Sequence, residues 1–132
     1  IAHRPLLIRC DVATQLPAGV ILAQGGRENG YALHLANGRP VFSVRIEGKL
    51  FAIEATRAPG ERFSLEATLT TDGAMSLAVN GQTVATGKAS GLIPVQPVDQ
   101  LSIGEDLRTP VGDYQAPHAL QGKVENVSIK TE

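Results

Sequence analysis

The chain has 132 residues, with 12 Lys and Arg against 13 Asp and Glu. That length is enough for one domain that buries roughly two-thirds of its unfolded surface without a disulfide or metal staple. The balanced charge, with no block of one sign, gives no footprint for nucleic acid or an anionic membrane, and no uncharged stretch is longer than residues 12–26, which is too short to span a bilayer as a helix.

The chain opens Ile1-Ala2-His3-Arg4-Pro5, which reads as the middle of something longer. The expectation is one domain over 1–132, excised from a larger protein. Leu6, Ile8, Cys10 and Val12 then alternate with Leu7, Arg9, Asp11 and Ala13, the period of a half-buried strand. Val20-Ile21-Leu22-Ala23 is apolar on both faces, as in an interior strand, and Gly25-Gly26 breaks the run.

Tyr31, Leu33 and Leu35 form the next apolar face, ending at Asn37-Gly38. Phe42, Val44 and Ile46 follow as far as Glu47-Gly48, and then Phe51, Ile53 and Ala55. Phe63, Leu65, Ala67 and Leu69 alternate cleanly with polar residues, which gives a strand with one dry and one wet face. Met75, Leu77 and Val79 lie between Asp72-Gly73 and Asn80-Gly81, and residues 82–88 return. The four dipeptides accept the positive φ of tight hairpin turns and so fix the register of their flanking strands.

Residues 91–99 make a Pro-containing crossover, and Leu101 and Ile103 a short strand. Residues 105–119 are the longest stretch without a strand period. Val127 and Ile129 close the chain as a last strand, with Val124 out of phase, which places a bulge near Glu125. About ten strands without helical period predict an all-β fold: a two-sheet antiparallel β-sandwich of jelly-roll type rather than a closed up-and-down barrel.

No catalytic constellation emerges. Gly-x-Ser-x-Gly is absent, and Glu47, Glu54, Glu61 and Glu66 are too scattered for a glycosidase pair. His3, His34 and His118 have no partner at metal-ligand spacing. His34, on the polar phase, reads as a surface or sheet-face histidine, and Cys10 as a small core residue. The chain is expected to be non-catalytic.

Two loops invite a binding role. In residues 24–31 three glycines allow close approach of a ligand, and Arg27, Asn29 and Tyr31 have the groups to hydrogen-bond or stack on a sugar. The plainer reading is a hairpin loop, with Tyr31 packing its own strand. In residues 104–114 the carboxylates of Glu105, Asp106 and Asp113 suit calcium, though their spacing matches no defined calcium loop. The alternative is that Asp106 and Asp113 stiffen the loop through backbone N–H groups, with Arg108 beside them. Arg108 and Tyr114 are the ligand-binding candidates of this second loop. With no Trp and all three Phe on apolar phases, Tyr31 and Tyr114 are the remaining aromatic candidates.

One resemblance covers roughly residues 6–130. Its blocks are Gly19-Val20-Ile21-Leu22-Ala23-Gln24-Gly25-Gly26, Gly30-Tyr31-Ala32-Leu33-His34-Leu35 and Gly38-Arg39-Pro40-Val41. Ser102-Ile103-Gly104-Glu105-Asp106, Pro110-Val111-Gly112-Asp113-Tyr114 and Leu120-Gln121-Gly122-Lys123-Val124-Glu125-Asn126-Val127 follow. This order resembles the laminin-G-like, concanavalin A-type jelly-roll domain at the C-terminus of large bacterial arylsulfatases. The resemblance implies a non-catalytic accessory domain packed on or near the catalytic sulfatase domain of the same chain, periplasmic or secreted. The sulfatase nucleophile lies in Cys/Ser-x-Pro-x-Arg, and Cys10, followed by Asp11-Val12-Ala13-Thr14, is not that residue. The competing expectations are an independent module for glycan, sulfated polysaccharide or protein, with or without calcium, and a structural spacer or self-association domain.

Overall fold

A computed structural model describes residues 5–14, 19–25, 28–57, 59–93, 102–103 and 122–130. Its strands are β1 (Leu6–Thr14), β2 (Gly19–Gly25), β3 (Gly30–Ala36), β4 (Arg39–Ile46), β5 (Lys49–Glu54), β6 (Arg62–Leu69), β7 (Ala74–Val79), β8 (Gln82–Lys88), β9 (Ser102–Ile103) and β10 (Gly122–Lys130). They form two five-stranded antiparallel sheets, ordered β10-β1-β6-β7-β8 and β5-β4-β3-β2-β9. We call these the first and second sheets. Both are open, so the sandwich holds and the closed barrel does not.

The alternation read from the sequence decides which residues meet between the sheets. Leu6, Ile8, Cys10 and Val12 of β1, Phe63, Leu65, Ala67 and Leu69 of β6, and Met75 and Leu77 of β7 supply one side. Leu33 and Leu35 of β3, Phe42, Val44 and Ile46 of β4, and Ile53 of β5 supply the other. Where β8 meets β5, a Cβ on Gly87 would stand 2.5 Å from Ile53 Cγ2, so any larger residue there would have to displace the Ile53 side chain.

Three of the four turn dipeptides behave as their chemistry demands: Asn37-Gly38, Glu47-Gly48 and Asn80-Gly81 have positive φ at both residues. Asp72-Gly73 differs. Only Gly73 is positive, at φ 88°. Gly73 N–H donates to Thr70 O, and Thr70 N–H to Ala74 O, both at 2.9 Å. This is a three-residue loop with glycine in the left-handed position, rather than a two-residue turn. Asp72 accepts from Thr70 Oγ1 and the Ala74 N–H, which holds its carboxyl below the usual range.

The bulge expected near Glu125 is present. Arg9 pairs with Ser128 and Asp11 with Glu125, so Cys10 stands opposite two residues, Asn126 and Val127. Asn126 takes up the extra length at φ 53°, a conformation asparagine tolerates better than most residues.

Candidate functional site

The outward residues of β10, β1 and β6 fall into three rows across the first sheet. Lys123 and Arg62 flank Ala13, Glu125 and Ser64 flank Asp11, and Ser128 and Glu66 flank Arg9. Between the rows lies a shallow polar groove with a cavity of about 350 Å³, lined by Asp11, Val12, Ala13, Arg62, Phe63, Ser64, Lys123, Glu125 and Asn126. A second depression of about 270 Å³ continues it past Arg9, Glu66 and Gly81 and shares Asp11, Ser64 and Asn126 with it.

Asp11 is the hub. Ser64 Oγ donates to its Oδ1 at 2.6 Å, and Asn126 Nδ2 to its Oδ2 at 2.7 Å. These bonds, Ser64 first, lower the pKa of its carboxyl. Ser64 is itself fixed, since its N–H donates to Asn80 Oδ1 at 2.9 Å and its O accepts from Asn80 N–H at 2.9 Å. The bulge aims Asn126 at Asp11, and the turn aims Asn80 at Ser64. Yet Asp11 also sits directly opposite Glu125, a like-charge pairing that weakens a sheet. A carboxylate held ionised, oriented and beside another carboxylate is a local conflict of the sort that marks functional surfaces.

The outward face of the second sheet is its opposite. Val20, Ala23 and Ala32 form their own buried cluster, joined by buried Val41 and Ser43. Ala32 pairs with Ala23 on one side and Ser43 on the other, a floor of small side chains. His34 lies in the next row at 5% exposure, so it is a sheet-face histidine but not a surface one. Among the described residues Ser43 Oγ, though buried, has no hydrogen-bond partner.

Of the sequence-derived site residues, Asn29 and Tyr31 lie among the described residues. Tyr31 is 1% exposed; burial pushes its pKa up to about 12, and its hydroxyl donates to Gln24 Oε1 at 2.7 Å. It packs its own strand and offers no ring face to a ligand. Asn29 Oδ1 accepts from Glu47 N–H at 3.1 Å, and Gly48 N–H donates to Glu28 O at 2.8 Å, so Asn29 latches its loop onto the β4–β5 turn. Arg27, Arg108, Tyr114 and the calcium set Glu105, Asp106 and Asp113 lie outside the described residues. Among the described residues no group of three or more His, Cys, Asp or Glu could hold a metal ion.

Cys10 lies on the core side of β1, and burial first, then the Asp11 charge, raises its pKa to about 12. That thiol is a core group, as expected. The groove itself escaped the sequence reading, because its residues come from strands 50 to 115 positions apart. The one local signal was the phase break at Val124, which marks the bulge that turns Asn126 toward Asp11.

No family model and no curated protein matches the sequence. Solved structures do match. The chain is similar to domains LG4-5 of the mouse laminin α1 chain, at TM-score 0.75 and 16% identity, over 98% of this chain and 37% of that one. It is similar to the LG1-3 region of the laminin α2 chain, at TM-score 0.77 and 9% identity, over 96% of this chain and 27% of that one. The CBM40 module of a Ruminococcus gnavus IT-sialidase, solved with α2,6-sialyllactose, matches at TM-score 0.67 and 17% identity, over 92% of this chain and 73% of that one. The chain thus spans well under half of the two laminin structures. These likenesses establish the fold: a laminin-G-like jelly-roll β-sandwich.

Proposed function

We propose that this chain is a non-catalytic glycan-binding module and that the groove over β10, β1 and β6 is its binding surface. The observation that carries the reading is the solvent-facing Asp11 carboxylate, held by Ser64 and Asn126 where it lines the cavity. Sugars present dense hydroxyls, and a pre-oriented carboxylate accepts from them without first having to be ordered. The fold shared with a sialidase's carbohydrate-binding module supports the same reading. Among the described residues the groove is lined by no Trp or Tyr, and its Phe63 is buried, so recognition there rests on hydrogen bonds rather than ring stacking.

Calorimetric titration with a panel of defined oligosaccharides tests this. Asp11→Ala should weaken the best binder roughly tenfold or more, the size of a hydrogen bond to a charged group. Binding that ignores Asp11 would place the site elsewhere, and no binding across the panel would remove the glycan reading.

The arylsulfatase setting is a finer proposal. Such a module would hold a substrate chain beside a separate catalytic domain, in the periplasm or outside the cell. The reading frame upstream of Ile1 decides it. A Cys/Ser-x-Pro-x-Arg motif on a preceding domain supports the setting, and an unrelated domain removes it.

A further inference from the structure

We infer that the groove takes a short glycan with one acidic sugar at its end, the anionic group seated between Arg62 and Lys123, and that it discriminates against polyanions. The inference rests on the glycan-binding reading of this surface and adds the ligand's charge pattern.

The argument starts from Ala13. Arg62 and Lys123 are its register partners on either side, so the two cations stand two strands apart, about 10 Å across. Between them the side chain is a single methyl group, which leaves a notch with a cation on each wall. Among the described residues the ion pairs are Arg9–Glu66 at 3.2 Å and Arg39–Glu54 at 3.3 Å, so neither Arg62 nor Lys123 has a carboxylate partner there. Both side chains are exposed, and both line the cavity. A carboxylate or sulfate entering the notch meets two unspent charges and the donor fork of an arginine.

The next row, about 7 Å along the strands, reverses the sign. Asp11 and Glu125 stand side by side there, and Asp11 is held ionised. Hydroxyls are welcome in that row and a second anionic group is repelled. In the third row Arg9 is already neutralised by Glu66. Along β1 the groove therefore reads positive, negative, neutral over about 14 Å, the length of a di- or trisaccharide. A chain charged on every sugar, such as heparin, would satisfy the notch and clash with the middle row.

The test uses three probes on the whole chain: a trisaccharide ending in glucuronic acid, the same compound with that carboxyl reduced to an alcohol, and a heparin trisaccharide. The expected order is acidic-ended tightest, by tenfold or more over the reduced compound, with heparin weaker than the acidic-ended probe. Arg62→Ala and Lys123→Ala, both at exposed positions, should bring the acidic-to-reduced ratio toward one while leaving the melting temperature unchanged.

Equal, Asp11-dependent binding of acidic and reduced probes would overturn this inference and leave the glycan reading standing. Tightest binding by heparin, lost at modest salt, would overturn it in favour of bulk charge. If none of the three probes binds, this inference fails, and the oligosaccharide panel decides the glycan reading separately.

Discussion

The outward faces of the two sheets differ: that of the first is a charged groove, and that of the second a buried floor of small residues. On the first sheet, Arg9, Asp11, Arg62, Lys123 and Glu125 point outward. On the second, the corresponding positions hold Val20, Ala23, Ala32 and Ser43. The contrast was already visible in β2, apolar on both faces, against β6, which is dry on one face and wet on the other. A doubly apolar strand needs cover on both sides, and a singly apolar strand leaves one face free for chemistry. That is why the candidate site belongs on the first sheet.

The sharpest way to break this contrast is to place one charge on each face. Ala32→Lys, at 0% exposure, buries an ammonium with no partner and should cost several kcal/mol, enough to abolish cooperative unfolding. Ala13→Lys, on the groove face, should cost only about 0.5–2 kcal/mol, through like charge on its register partners Arg62 and Lys123, and fill the notch between them. Paired thermal melts check both, and similar melting temperatures for the two variants would dissolve the distinction.

A smaller effect is expected at Gly122, where β10 begins. A Cβ there would come within 2.0 Å of Ala13 O and 2.6 Å of Thr14 Cα, so Gly122→Ala must push β10 away from β1. Denaturant titration should show a loss of about 1–3 kcal/mol, as for other overpacked sites. Glycan affinity should fall with it, because the groove is shared between those strands. A variant of unchanged stability and affinity would mean that β10 is held independently of this contact.

The smallest effect is electrostatic. Ser64 and Asn126 hold the Asp11 pKa below its usual value of about 3.9. The unfolded chain therefore takes up a proton before the folded chain does, and stability falls as pH drops through that window. Above it, the contribution of Asp11 is complete. Melting temperatures of wild type and Asp11→Asn, measured from pH 6 to pH 2, should differ most at the upper end and converge toward acid. The subtraction removes Asp72, whose carboxyl is lowered by Thr70 and the Ala74 N–H in both proteins. A gap that stays constant with pH would mean that Asp11 contributes nothing through its charge.

The fold was legible because its rules are local. Asn37-Gly38 and Asn80-Gly81 set hairpin registers by themselves, and period-2 runs such as Phe63 to Leu69 name the core side. Asp72-Gly73 misled on turn type, since an aspartate that accepts from Thr70 and Ala74 is satisfied without entering the left-handed region. The site was not legible in the same way. Tyr31 drew notice as an aromatic near glycines, but its phase had already assigned it to the core. Asp11 and Asn126 are 115 residues apart and meet because β1 and β10 are neighbours, a fact of topology that no local pattern carries.

That neighbourhood has a consequence for engineering. Leu7 and Lys130 are register partners, so the first and last strands enter and leave side by side, at the end of the sheet away from Ala13 and Lys123. A short linker between them would close the chain into a ring, and the ring could be reopened at Asn37-Gly38 without touching the groove. The same geometry lets the module be spliced into a surface loop of a host protein, held at one end like a flag on a pole, with its cationic notch at the free end.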